Sequence, residues 1–190
     1  MEERELLAHT LNAIKKLNIP YFVTGSVASG VWGEPRLTSD IDIVIRLTPT
    51  TLASFCAMFP SPEFYVSEMG ARSAVERGGQ FNIIHPDTGL KVDVIVPGAS
   101  PFNTSSFIRR KDVNALGIDG CFGSPEDIIL SKMMFYKEGQ SEKHLRDITG
   151  ILKLCPDPID RQYIEKWAAD LDLTDIWQAI LKKLESCPEH

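Results

Sequence analysis

Leu6, Leu7, Leu11, Ile14 and Leu17 recur at helical spacing through residues 2–18, and Asn18 with Pro20 closes the run, so an amphipathic helix opens the chain. Tyr21-Phe22-Val23-Thr24 reads as a short strand that Gly25-Ser26 turns into a second helix, carried to about Trp32 and ended by Gly33-Glu34-Pro35. The β-branched run Asp40–Ile45 predicts a strand. Thr48-Pro49-Thr50 then opens a helix bearing Leu52, Phe55, Met58 and Phe59, which Pro60 and Pro62 close. A further helix is expected near 67–77, before Gly78-Gly79. Two apolar runs, Phe81–His85 and Leu90–Val96, flank the turn sequence Pro86-Asp87-Thr88-Gly89 and predict an antiparallel hairpin. From Ser124 the pattern is helical almost to the end, in segments near 125–138, 141–154, 160–170 and 173–185.

These elements imply an α+β fold: a small mixed β-sheet with flanking helices, followed by a C-terminal helical bundle. The expected division is an α/β core over 1–123 and a helical region over 124–190 packed on it, with an active cleft between them.

One polar pattern interrupts the apolar logic. Asp40 and Asp42 lie in a strand whose other residues, Ile41, Ile43, Val44 and Ile45, read as buried, and an ionised carboxylate there is costly unless a cation or hydrogen bonds compensate it. Residues i and i+2 of a strand share a face, about 6.6 Å apart at a rise of ~3.3 Å per residue. The pair therefore forms a rigid oxygen-rich edge, suited to Mg²⁺ or Mn²⁺. Asp93, between Val92 and Val94, faces away from both, and it completes a three-carboxylate set if its strand neighbours that of Asp40 and Asp42. The structural alternatives are that Asp40 caps a turn, that Asp42 pairs with Arg36 or Arg46, and that Asp93 sits at a sheet edge. Gly25-Ser26 falls where a strand meets a helix N-terminus, whose N–H groups and positive dipole end favour phosphate; by itself the same dipeptide also fits an ordinary N-cap.

Composition narrows the choice. A chain of 190 residues with 43% apolar and 24% charged residues is that of an ordinary globular protein, and its apolar runs fall short of a membrane span. The acidic start Met1-Glu2-Glu3-Arg4-Glu5 lacks the pattern of a signal peptide, so a cytoplasmic location and no membrane partner are expected. Cys56, Cys121, Cys155 and Cys187 are scattered, which argues against zinc. A net charge of −6 argues against a broad phosphate-binding surface. Arg109-Arg110-Lys111 is the one dense basic cluster, either a solvated loop or a patch for a polyanionic acceptor.

Taken together, Thr24-Gly25-Ser26, the run Gly33-Glu34-Pro35-Arg36-Leu37-Thr38-Ser39-Asp40-Ile41-Asp42, and Lys91-Val92-Asp93 resemble the DNA polymerase β-like nucleotidyltransferase superfamily, and within it the small single-chain branch that includes the AbiEii-type toxin nucleotidyltransferases. The resemblance covers residues 20–96 well and 124–152 loosely. It implies the nucleotidyltransferase fold, with Gly25 and Ser26 on the nucleotide phosphates and Asp40, Asp42 and Asp93 as the catalytic, metal-binding carboxylates. Arg36 matches a recurrent Pro-Arg-x-Thr-x-Asp pattern of the branch, where it touches phosphate or braces the Asp40 loop.

Lys132 stands on an apolar helical stripe, where it either snorkels to solvent or reaches the triphosphate as a cation. Asp147 resembles the acidic residue that follows such a lysine on the next helix and could orient it by charge pairing; the alternative is a surface pair with Lys143 or Arg146. The expected activity is metal-dependent transfer of a nucleoside monophosphate from a nucleoside triphosphate to an acceptor hydroxyl; ATP binding is expected, while the sequence carries no code for which nucleotide is transferred. The acceptor is RNA, as in toxin-like relatives with an antitoxin partner, or a small aminoglycoside-like molecule. A non-catalytic nucleotide- or partner-binding module is the alternative class.

Overall fold

In the computed structural model, which describes residues 1–36, 38, 40–115 and 117–186, the chain divides into two compact units. The first comprises residues 1–27 and 37–123, and the second residues 28–36 and 124–190. Seven strands and nine helices are present among the described residues.

The first unit is built on the sheet. Helix α1 (Glu3–Lys16) buries Leu6, Leu7, Leu11 and Ile14; the Glu5 carboxylate accepts from the Glu2 N–H at 2.8 Å at its start, and Asn18 at φ 51° ends it. Strand β1 (Tyr21–Thr24) runs into α2 (Gly25–Trp32), and β2 (Asp40–Ile45) returns antiparallel to β1. Next come α3 (Pro49–Cys56), β3 (Tyr65–Val66), α4 (Glu68–Arg77), and the hairpin of β4 (Gly79–His85) and β5 (Leu90–Val96). Helix α5 (Pro101–Arg109) and a second hairpin, β6 (Lys111–Ala115) with β7 (Ile118–Phe122), complete the unit. The sheet order is β3-β4-β5-β2-β1-β7-β6, mixed because β2 pairs with β5, and β1 with β7, in parallel. Along β2 the residues alternate: Ile41, Ile43 and Ile45 are buried, and Asp40, Asp42 and Val44 are half-buried on the opposite face.

Two expectations need correction, and one strand goes unannounced by the sequence. Helix α3 ends at Cys56, because the Met58 and Phe59 N–H groups bond back three residues, to Phe55 and Cys56, in a tighter turn ahead of Pro60. Strand β3 is only two residues long, too short for any alternation to announce it. The basic cluster is not a loop: Arg109 ends α5 and Lys111 opens β6. Because β6 is an edge strand with no fully buried residue, it carries no apolar run to read.

The second unit is helical: most of α2, then α6 (Pro125–Gly139), α7 (Glu142–Leu154), α8 (Arg161–Asp170) and α9 (Thr174–Ser186). All four later helices lie close to their expected bounds: each has buried apolar side chains, and Ser124 and Asp160 cap α6 and α8 with their side chains. Ser124 Oγ accepts from the Asp127 N–H at 3.2 Å to start α6. Two buried acids of that first turn tie it to α8: Tyr163 donates to Asp127 at 2.7 Å, and Glu126 accepts from the Asp160 N–H at 3.0 Å. Ile128, Ile129, Met133, Ile148, Ile151, Ile164 and Trp177 fill the interior. No helix among the described residues is long and apolar enough to cross a membrane.

Candidate active site

The sheet face opposite Ile41 and Ile43 gathers the carboxylates. In the parallel β2/β5 pair Asp42 lies directly beside Asp93, and Asp40 beside Lys91. The register continues outward: Asp93 faces Asn82 on β4, and Asp42 faces Thr24 on β1. Asn82, Asp93, Asp42 and Thr24 thus form one row across four strands. With its amide oriented as its neighbours require, Asn82 donates to Asp93 Oδ1 at 3.2 Å.

Gly25 opens α2 beside this row. Its φ of +65° is the left-handed conformation that glycine adopts freely, and a Cβ there would stand 1.8 Å from Asp42 Oδ2. Only a residue without a side chain brings the strand-to-helix turn against the carboxylate. The Asp40 N–H donates to Thr38 Oγ1 at 3.3 Å, which holds the start of β2.

A cation already stands among the carboxylates. Lys91 Nζ is 3.3 and 3.1 Å from the two Asp93 oxygens and 3.3 Å from Asp40 Oδ1. The side chains of Asp93, Lys91 and Asp40 are 14%, 35% and 50% exposed, so the cluster grades outward to solvent. Hydrogen bonding to Asp93, and then to Asp40, holds the Lys91 ammonium above its ordinary pKa of 10.5 against partial loss of hydration. Among the described residues no three His, Cys, Asp or Glu side chains are grouped as a metal cage requires. The donor chemistry nonetheless fits a hard divalent ion, since the set is all oxygen and two of its members already converge on one positive charge.

The second unit holds a different ion cluster. Lys132 and Asp147 have side chains only 4% exposed and meet at 2.7 Å, and Arg36 Nε donates to the other Asp147 oxygen at 3.1 Å. Lys132 therefore does not snorkel to solvent, and Asp147 is not in a surface pair with Lys143 or Arg146. Arg36 arrives through Gly33, where a Cβ would stand 2.7 Å from the Gly150 carbonyl carbon: the loop after α2 rests on the backbone of α7. Burial raises the Asp147 pKa, but hydrogen bonds from Arg36 and Lys132 outweigh it and leave the carboxyl below its ordinary 3.8.

Sequence reading gave no role to Lys91 or Asn82. Lys91 was within reach, since it stands two residues before Asp93 and period two places both on one face. Asn82 needed the hairpin register.

No family model matches this chain, and no curated protein does. Among solved structures, the antibiotic-resistance factor ANT(2'')-Ia is similar over 96% of this chain and 94% of its own, with 15% identity and a TM-score of 0.55. The lincosamide antibiotic adenylyltransferase LnuA is similar over 81% of this chain and 98% of its own, with 12% identity and a TM-score of 0.55. An antigenic nucleotidyltransferase-like protein from Paracoccidioides brasiliensis is similar over 95% and 92%, with 21% identity and a TM-score of 0.53. At these identities the likeness is one of fold: this chain has the nucleotidyltransferase fold.

Proposed function

We propose that this protein is a metal-dependent nucleotidyltransferase that moves a nucleoside monophosphate from a nucleoside triphosphate to an acceptor hydroxyl. The observation that carries the proposal is the register of β2 on β5, which sets Asp42 beside Asp93 with Asp40 on the same face and the Gly25 turn against Asp42. Asp40, Asp42 and Asp93 would hold the divalent ions. Bound there, Mg²⁺ or Mn²⁺ supplies neutralisation of triphosphate charge and a lowered pKa for the attacking hydroxyl.

The chain's own residues do the rest. The acceptor oxygen bonds to the α-phosphorus as the bond to the β-phosphate oxygen breaks, and pyrophosphate leaves. Asp93 takes the hydroxyl proton; it also accepts from Asn82 and from Lys91. Backbone N–H groups of the first turn of α2, at Gly25 and Ser26, bind phosphate oxygens. Arg36 and Lys132 share Asp147, which fixes the positions of both cations.

A small hydroxyl-bearing acceptor is favoured over RNA. The net charge of −6 opposes a polyanionic acceptor, Arg110 of the basic cluster is turned onto the Phe107 carbonyl, and two neighbours spanning most of this chain are named for antibiotics. The AbiEii-type alternative, RNA modification restrained by an antitoxin, differs in the acceptor and in the partner, with the same transfer chemistry. Purified chain, labelled triphosphates, Mg²⁺ or Mn²⁺, and parallel panels of cationic small molecules and crude RNA test both. Transfer should appear with the small molecules and vanish in the Asp40→Ala, Asp42→Ala double variant. Triphosphate binding without turnover on any acceptor would make the chain a non-catalytic relative, and transfer by the double variant would remove the carboxylates from the mechanism.

A further inference from the structure

Three carboxylates on one sheet face repel one another unless positive charge lies among them. Lys91 supplies that charge. It stands opposite Asp40 in the β2/β5 register and two residues before Asp93 on the same strand, so a single four-carbon stem reaches both carboxylates without leaving the face. An ammonium has three N–H donors, and Lys91 Nζ has three carboxylate oxygens within 3.1–3.3 Å.

We infer that Lys91 is a built-in stand-in for the metal: its ammonium holds Asp40 and Asp93 around one positive charge, and the carboxylates turn to a divalent ion only when Lys91 swings out. The inference rests on the proposed reading of Asp40, Asp42 and Asp93 as metal ligands. It accounts for a carboxylate-rich face on which no three acids are grouped as a metal cage requires among the described residues. Exchange is feasible because the lysine is 35% exposed, has a flexible stem, and makes ion pairs of the weak, solvent-screened kind. A doubly charged ion gains more from the carboxylates than an ammonium does, whereas Na⁺ or K⁺ has no such advantage. Lys91 therefore sets the affinity of the face for metal and biases it toward divalent ions.

Binding of Mn²⁺ to the full-length chain, followed by loss of the free-ion electron paramagnetic resonance signal, tests this without any turnover. Lys91→Met and Lys91→Gln should each tighten Mn²⁺ binding about five- to thirtyfold, and Lys91→Arg should leave it near wild type. Circular dichroism verifies folding, and the Gln variant stands in if the Met variant does not fold. Binding by both neutral variants that equals or falls below wild type overturns the inference. The Asp42→Asn, Asp93→Asn variant separates the two levels: carboxylate-dependent binding that is indifferent to Lys91 removes only the stand-in role, and Mn²⁺ binding untouched by the carboxylate changes, or absent from every variant, removes the metal reading with it.

Discussion

The Lys91 and Lys132 clusters each set a lysine ammonium against aspartate at hydrogen-bond distance, one cation between two carboxylates in the first and two cations on one carboxylate in the second, and they differ most in burial. Lys91 meets Asp93 and Asp40 on a sheet face graded toward solvent, with the Asp40 side chain 50% exposed; Lys132 meets Asp147 in a helical interior where both side chains are 4% exposed. In the first cluster water reaches Lys91 and Asp40, so the lysine has an alternative to its carboxylates and its contacts are replaceable. In the second, water is excluded, so either partner without the other is a buried charge short of a hydrogen bond that water cannot replace. The same chemistry serves exchange in one place and fixed geometry in the other, and burial decides which.

The largest expected effect is catalytic and confined to the sheet. Asp93→Asn should lower nucleotidyl transfer about 10²–10⁴-fold while leaving the urea unfolding midpoint nearly unchanged. A large loss of stability in that variant would erase the distinction between the clusters. Lys132→Met should do the converse to the fold, costing about 1–3 kcal/mol of stability by urea unfolding, because Asp147 loses one buried hydrogen bond while Arg36 remains as its cation. A cost below about 1 kcal/mol would place Lys132 with the weak surface-type pairs.

Gly25→Ala is a smaller perturbation of the exchangeable cluster. The left-handed backbone costs about 1–2 kcal/mol with any Cβ, and the new methyl displaces the Asp42 carboxylate, so transfer should fall more than stability does. Acid provides the mildest test. Asp147 has a folded pKa below its ordinary 3.8, so its contribution to stability is complete above the unfolded value and is lost as pH falls through the lower folded value. Urea midpoints measured from pH 7 down to pH 3 should fall less steeply for Asp147→Asn than for wild type; equal slopes would take Asp147 out of the acid response.

Legibility from sequence followed burial and length. Strand β2 is legible to the residue, because alternating isoleucines and aspartates leave no other period, and the hairpin of β4 and β5 follows from its turn residues. The helices from α6 to α9 announce themselves through apolar stripes, helped at α6 and α8 by the caps Ser124 and Asp160. The stretch after Gly98 does not: α5 is short, and β6 is an edge strand without an apolar run. At the sites, the same-face placement of Asp40 and Asp42 is a consequence of strand geometry alone. Lys132 was legible only as an anomaly, a charge on an apolar stripe, because its partner Asp147 lies on a different helix and the second cation on Asp147, Arg36, lies in the loop after α2.

The chain by itself determined which residues the proposed chemistry draws on: local periodicity dictates that two carboxylates share a strand face and that a glycine-led turn precedes them. Tertiary structure decided what those residues meet. Pairing of β2 with β5 put Asp93 beside Asp42 and Lys91 beside Asp40, and packing of the helices closed Asp147 around Lys132 and Arg36. The division is physical, since a side chain's direction is a property of its own backbone, whereas its partners and its share of water depend on segments far away in sequence.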